Sequence, residues 1–60
     1  MARTPPPLKA AYYRQREREL RALADAMTDT SVRVQMTGIA DEYAKLAGLA
    51  EAWERDQPAS

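Results

Sequence analysis

Residues Val32–Trp53 read VRVQMTGIADEYAKLAGLAEAW, and the rest of the chain is organised around this stretch. Its apolar side chains recur at alternating intervals of four and three residues, at Val32, Met36, Ile39, Tyr43, Leu46, Ala50 and Trp53. This spacing is the a/d repeat of a helix that buries one seam against another helix, as in a coiled coil. The stretch therefore predicts one partner of a helical hairpin or bundle.

A second helix is predicted before this one, over residues 8–27. The segment contains no Gly, Pro or β-branched residue and is rich in Ala, Leu, Arg and Glu, which favour helices. At 100° per residue, one broad face carries the apolar side chains Leu8, Tyr12, Tyr13, Leu20, Leu23 and Met27. The opposite face carries the charged residues Arg14, Glu17, Arg18, Arg21 and Asp25. Arg16 and Glu19 are exceptions, because they project from the apolar side.

A short polar segment separates the two helices and is predicted to be a turn over residues 28–30. Asp29 is the best candidate for the N-cap of the second helix, with Thr28 or Thr30 as alternatives. A turn this short makes the helices antiparallel neighbours. The second helix is expected to run from about residue 30 to 56, where Pro58 ends it. The fold class predicted is therefore all-α, an antiparallel two-helix hairpin.

The prediction divides the chain into a Pro-rich arm (residues 1–7), the hairpin (8–57) and a short tail (58–60). In the arm, Pro7 suits the first position of a helix. Three interpretations of the arm remain open: a disordered leader, a segment that packs on Trp53 at the open end of the hairpin, and a proline-rich ligand for another domain.

Closing the hairpin pairs residues whose numbers add up to about 59 and so brings the two apolar faces together. The predicted core and interaction seam consists of Tyr13, Arg16, Leu20, Leu23, Met27, Val32, Met36, Ile39, Tyr43, Leu46 and Trp53. Arg16 then lies opposite Tyr43. It either extends its guanidinium into water or forms a polar layer with Glu19 or Glu42, which would fix the register of a dimer.

Composition excludes most chemistry. The chain has 60 residues, no Cys and no His, with a formal net charge of zero. The commonest metal ligands and the commonest general base are therefore missing. We expect no enzymatic activity, no cofactor, no metal and no small-molecule substrate. Carboxylates are expected to form helix-surface ion pairs, namely Glu17 with Arg21, Asp41 with Lys45 and Glu51 with Arg55.

The small size of the chain predicts that it associates with a second copy or with a partner protein. A single core of this size contributes only about 3–5 kcal/mol, so small domains usually add disulfides, a metal or a partner. Each helix also carries an apolar stripe wider than one neighbour can cover. We therefore expect a homodimer that forms a four-helix bundle, or binding to a helix of a partner protein. No apolar run suggests a membrane span or a signal peptide, and a cytoplasmic location is expected.

Two functions remain open at this stage. The first is a non-enzymatic interaction module that acts by helix–helix contact, either in self-association or with a partner protein. The alternative is a small dimeric regulator that binds nucleic acid, such as RNA, through a basic face of the first helix formed by Arg14, Arg18 and Arg21. Gly38 and Gly48 are either tolerated surface glycines or, with Ala44 and Ala52, a strip that another helix can approach closely.

The stretches AAYYRQRERELRALADAMTDTSVR and ADEYAKLAGLAE resemble a recurring type of small bacterial protein of uncharacterised role. The resemblance covers about Ala10 to Glu51 and departs from that pattern at Thr30, where proline is usual, and at Gly38. It implies a helical hairpin but no activity and no ligand residues. The matching residues are Tyr12, Tyr13, Arg14, Arg16, Glu19, Leu23, Ala24, Asp29, Ala40, Glu42, Tyr43, Leu46 and Ala47.

Overall fold

A computed structural model describes residues 6–56 as two α-helices joined by a tight connection. Helix α1 spans Ala10–Ala26 and helix α2 spans Thr30–Asp56. They pack side by side in opposite directions, and residues 6–56 contain no strand. The predicted all-α hairpin is therefore confirmed. Residues 1–5 of the predicted arm, the tail at 58–60 and the predicted helix stop at Pro58 lie outside the described residues.

Helix α1 starts later than the sequence predicts. Lys9 has an extended backbone (φ −76°, ψ 153°), and its carbonyl accepts the first helical hydrogen bonds, from the N–H groups of Tyr12 and Tyr13. Leu8 and Pro7 therefore precede the helix, and Pro7 is not its first residue. At the other end, Met27 is extended (φ −79°, ψ 137°), and its N–H donates to the Ala24 carbonyl at 3.1 Å.

Asp29 starts helix α2. Its carboxylate oxygen Oδ1 accepts a hydrogen bond from the Val32 N–H at 3.1 Å, and its carbonyl accepts one from the Arg33 N–H at 3.0 Å. The side chain thus satisfies a backbone donor that has no partner inside the helix, as an N-cap residue does. The predicted N-cap is confirmed.

The contact between the two helices is lined mainly by alanine. The buried apolar residues are Ala10, Tyr13, Ala24, Ala40, Ala47 and Ala50. Tyr13 is the one large side chain among them, and in the described part of the chain no large side chain is fully buried. Ala10, Tyr13, Ala47 and Ala50 form a cluster on which Tyr43 packs. Because the distance between helix axes depends on the side chains at the contact, small residues permit a close approach.

The predicted seam needs a correction at three positions. Leu23, Ile39 and Leu46 are 48, 49 and 41% exposed and do not lie between the helices. On α2, Ala40 and Ala47 are buried instead. Successive residues of a helix are 100° apart, so turning these alanines toward α1 turns the larger residue before each of them outward. The other large apolar members of the predicted seam are half-buried, namely Leu20, Met27, Val32, Met36, Tyr43 and Trp53.

Over residues 6–56, neither helix is long and apolar enough to cross a lipid bilayer.

Candidate interaction surface

One flank of the hairpin carries a row of ion pairs in which basic and acidic side chains alternate. We call this surface the ionic flank, and it consists of Arg14, Glu17, Arg21, Asp41 and Glu51. Arg14 joins the two helices by a bidentate contact with Glu51, with Nε 2.9 Å from one carboxylate oxygen and Nη2 2.8 Å from the other. Paired hydrogen bonds of this kind fix the guanidinium and the carboxylate in one relative orientation. Arg14 therefore sets the lateral alignment of α1 and α2 on this flank.

Glu17 lies at the centre of the ionic flank between two arginines. Its side chain is 14% exposed, and its two oxygens accept hydrogen bonds from Arg14 Nη1 at 2.9 Å and Arg21 Nε at 3.0 Å. Arg21 Nη2 also reaches Asp41 on α2 at 3.1 Å. The predicted pair of Glu17 with Arg21 is confirmed.

The two carboxylates that α2 contributes do not bind the partners predicted for them. Asp41 pairs with Arg21 and Glu51 with Arg14, both across the helix interface. Lys45, the expected partner of Asp41, lies with Nζ 3.8 Å from Glu42 instead. Pairing within one helix was predicted from sequence spacing alone, whereas the hairpin brings arginines of α1 within reach.

The hydrogen bonds of the ionic flank shift the pKa values of its groups. The side-chain bond from Arg14 lowers the pKa of both Glu17 and Glu51 below the ordinary value. The bond with Glu51 raises the pKa of Arg14, and the bond with Glu17 raises that of Arg21. Each of these pKa shifts favours the charged form of its group, which strengthens the ion pairs of Glu17 and Glu51.

The ion pairs bear on the basic face predicted for nucleic acid. Arg14 and Arg21 each contact two carboxylates, and the ionic flank holds three carboxylates against two guanidinium groups. Arg18 is exposed and has no ion pair among residues 6–56. A phosphate would therefore have to displace a carboxylate at two of the three predicted contact residues.

The opposite flank carries exposed apolar side chains from both helices. We call these the apolar flank: Tyr12, Leu23, Ile39 and Leu46. They are 44, 48, 49 and 41% exposed. Measured from the direction of the helix contact, helical periodicity places them on the side away from the ionic flank. A close alanine contact between the two helices leaves these side chains uncovered, as it does Leu8, Val34 and Leu49 elsewhere on the surface.

A polar pair interrupts the apolar flank near its middle. Arg16 Nη1 lies 2.6 Å from Glu19 Oε1, and both side chains are 44% exposed. A hydrogen bond with the Tyr43 side chain raises the pKa of Arg16 above its ordinary value. The predicted polar layer is thus present, with Glu19 rather than Glu42 as the acid. Arg16 consequently has an acid on its own helix and a tyrosine on the facing helix.

The open end of the hairpin contains a contact that the sequence does not reveal. Helix α1 has no side-chain cap of its own and no acidic residue in its first turn. Glu54 of α2 supplies both, because its Oε2 accepts a hydrogen bond from the Ala10 N–H at 2.8 Å. A carboxylate there also interacts favourably with the positive end of the helix dipole. The missing local cap is the one signal in the sequence that such a partner is needed.

Two solvent-open grooves accompany these surfaces. One, of about 370 Å³, lies at the open end and is lined by Pro6, Pro7, Leu8, Lys9, Trp53 and Glu54. Pro6 and Pro7 thus line the same groove as Trp53, as in one of the three interpretations of the arm, while Pro5 lies outside the described residues. The other, of about 490 Å³, follows α2 and is lined by Thr30, Arg33, Val34, Thr37, Gly38 and Asp41. Within the described range, no group of three His, Cys, Asp or Glu residues could hold a metal ion.

No known protein family, no curated protein and no solved structure matches this chain. The resemblance to small bacterial hairpin proteins therefore stays a prediction, based on the residues that carry it. The two flanks of the hairpin, one ionic and one apolar, are the features from which a function can be inferred.

Proposed function

We propose that the chain is a non-enzymatic interaction module that acts by helix–helix contact through the apolar flank. Its partner is a second copy of the chain or a helix of another protein. One observation carries the proposal: of the seven large apolar side chains exposed in the described part of the chain, four (Tyr12, Leu23, Ile39 and Leu46) are gathered on one flank, where almost half of each remains exposed.

The energy still to be gained there is large for so small a protein. Burying a Leu or Ile side chain completely contributes about 1.5–3 kcal/mol, so a half-exposed one still has about 1 kcal/mol to gain. Four such side chains on the flank are comparable with the roughly 3–5 kcal/mol that one small core provides. A contact on the apolar flank therefore affects the stability of the hairpin as much as its own interior does.

The ionic flank supports the choice of surface. Its side chains already satisfy one another's charges, so covering it would remove solvated ion pairs from water at a cost in free energy. The apolar flank has no such cost outside the pair of Arg16 and Glu19. The absence of Cys and His from the sequence supports a role without catalysis, because nucleophilic and acid–base mechanisms most often use them.

The nucleic-acid alternative gains no comparable support. Phosphate binding depends on cations free to replace counterions. Arg14 and Arg21 already contact carboxylates, and the ionic flank as a whole has more acids than bases. Addition of RNA at low salt tests it directly. A shift that charge reversal at Arg18 abolishes would favour this alternative over the proposed module.

Sedimentation equilibrium of three proteins tests the proposal: the natural chain, Ile39→Lys and Val34→Lys. Val34 is the matched control, because it is 66% exposed and lies on the outer side of α2. If the natural chain forms a dimer, Ile39→Lys acts in both copies. A loss of about 1 kcal/mol per copy then weakens the dissociation constant about thirtyfold. Val34→Lys should leave it unchanged.

Circular dichroism at each concentration shows whether the variants remain helical. Equal effects of Ile39→Lys and Val34→Lys would mean that the apolar flank is not the contact surface. A natural chain that stays a folded monomer from about 1 µM to about 1 mM would exclude self-association.

A further inference from the structure

The exposed residues of α1 are arranged symmetrically about the polar pair. Tyr12 lies four residues before Arg16, and Leu23 lies four residues after Glu19. Tyr12, Arg16, Glu19 and Leu23 are 44–48% exposed, and helical periodicity places them on the same flank of the hairpin. Read from either end, the surface of α1 therefore shows a large apolar side chain, then a charge, then the opposite charge, then another large apolar side chain.

Helix α2 has the same symmetry at the same level. Ile39 lies three residues before Glu42, and Leu46 lies three residues after Tyr43. Tyr43 packs on Tyr13 with ring centroids 6.4 Å apart, so the midpoint of α2 lies beside the middle of α1. One axis across both helices can therefore relate the two halves of the whole apolar flank.

We propose that the occupant of this flank is a second copy of the chain, packed face to face about a twofold axis that crosses both helices beside Arg16 and Glu19. This proposal rests on the proposed function of the flank and names its partner. In a twofold contact, residue i meets residue j, and j meets i. Each α1 then lies antiparallel on the α1 of the other copy, Tyr12 meets Leu23, and the two turns are at opposite ends.

Charge complementarity favours a second copy over an unrelated helix. On α1 the flank presents one cation and one anion, and the twofold arrangement places Arg16 of each copy beside Glu19 of the other, while Glu42 at the midpoint of α2 has Lys45 of its own helix 3.8 Å away. Arg16 and Glu19 are then each paired twice, within a copy and between copies. A partner with a single sign of charge would leave either Arg16 or Glu19 facing a like charge, which is costly where water is excluded.

The area of the flank also fits a dimer. The 22 residues from Val32 to Trp53 rise about 30 Å along α2 at 1.5 Å per residue. The hairpin is 21 Å wide. Its flat footprint is thus about 600 Å², and the accessible surface of interlocking side chains exceeds a flat projection. A standard interface buries about 800 Å² on each partner.

The test uses the full chain with Arg16→Glu and Glu19→Arg, each alone and mixed in equal amounts. Alone, each variant places like charges together across the proposed interface. Mixed, they restore both ion pairs between copies, so the mixed dimer should bind at least about tenfold more tightly than either variant alone. Native mass spectrometry separates the species because the variants differ in mass, and random pairing would give a mixed fraction of about one half.

The double variant Arg16→Glu/Glu19→Arg controls for effects of the single variants on folding, because it keeps an ion pair between positions 16 and 19 within each copy. It should form its own dimer but avoid the natural chain, since a mixed dimer then has two like-charge contacts. Random mixing in both experiments, with the natural chain dimeric, would overturn the twofold arrangement and leave the interaction module standing. A natural chain that remains monomeric would overturn the proposed self-association as well.

Discussion

Replacing the two glycines of α2 by alanine should stabilise the protein. Both lie well inside the helix, neither has a positive φ, and a Cβ atom added at either position meets no heavy atom within 4 Å. The substitution therefore removes the helix cost of glycine, about 0.8–1.0 kcal/mol, without a clash. Gly38→Ala and Gly48→Ala should each raise the free energy of unfolding by that amount. The double variant should gain about 2 kcal/mol, because well-separated changes add.

Urea and thermal unfolding followed by circular dichroism at 222 nm measure this change. In a domain of this size, 1 kcal/mol shifts the midpoint temperature by about 4–8 °C. The matched control is Ala22→Gly, an exposed position inside α1, which should lower the midpoint by a similar amount.

A loss of stability in Gly38→Ala or Gly48→Ala would contradict this prediction and would point to a different contact surface. Gly38 and Gly48 do not belong to the apolar flank, so alanine there should not alter self-association. If either substitution destabilises the protein or weakens the dimer, another helix approaches the glycine side of α2. Such an approach is the second interpretation given above for Gly38 and Gly48 with Ala44 and Ala52. The strip of small residues would then replace the apolar flank as the contact surface.

Three further predictions concern the core, the cap and pH. Tyr13→Ala removes the one large side chain among the buried residues and should lower the free energy of unfolding by about 3–5 kcal/mol. The helical circular dichroism signal should therefore be largely lost at 25 °C. A variant that melts at the same temperature as the natural chain would contradict the described core. Asp29→Ala should lower the free energy of unfolding in urea by about 1 kcal/mol, whereas Asp29→Asn should lower it much less because asparagine also caps helices. Equal losses in the two variants would exclude the cap. Because folding lowers the pKa of Glu17 and Glu51, their contribution is complete above the ordinary value of 4.5 and is lost as pH falls through the lowered pKa. The melting temperature should therefore drop below about pH 4.5, and Arg14→Gln should flatten that drop; an identical pH profile would contradict the role of Arg14.

The helices, their short connection and the Asp29 cap follow from local sequence patterns. Helix formers, apolar periodicity and the polar break each act over a few residues, so spacing alone identifies them. The residues buried between the helices cannot be identified in this way. Apolar periodicity favours the large residues Ile39 and Leu46, yet the smaller Ala40 and Ala47 are the residues buried between the helices. An apolar stripe two helices wide does not itself indicate which edge faces the one neighbour within the chain.

The interhelical ion pairs could not be predicted for a different reason. Glu54 caps α1 from 44 residues away, and Arg14 meets Glu51 at a separation of 37. Partners this distant are set by the register of the hairpin, whereas sequence spacing suggests the helical neighbour four residues along. The pair of Arg16 with Glu19 is one of the alternatives that the sequence leaves open, because both charges project from an otherwise apolar face.

The most direct test of the apolar flank uses Ile39, the one isoleucine of the chain. Its ¹³C-labelled δ1 methyl group gives a single NMR signal, which can be followed from dilute to concentrated protein beside the methyl signals of Val34. Ile39 is expected to shift with concentration and to show contacts with a second copy, while Val34 on the outer side of α2 stays constant. A methyl signal of Ile39 that does not change while sedimentation shows association would contradict the account, because another surface would then form the contact.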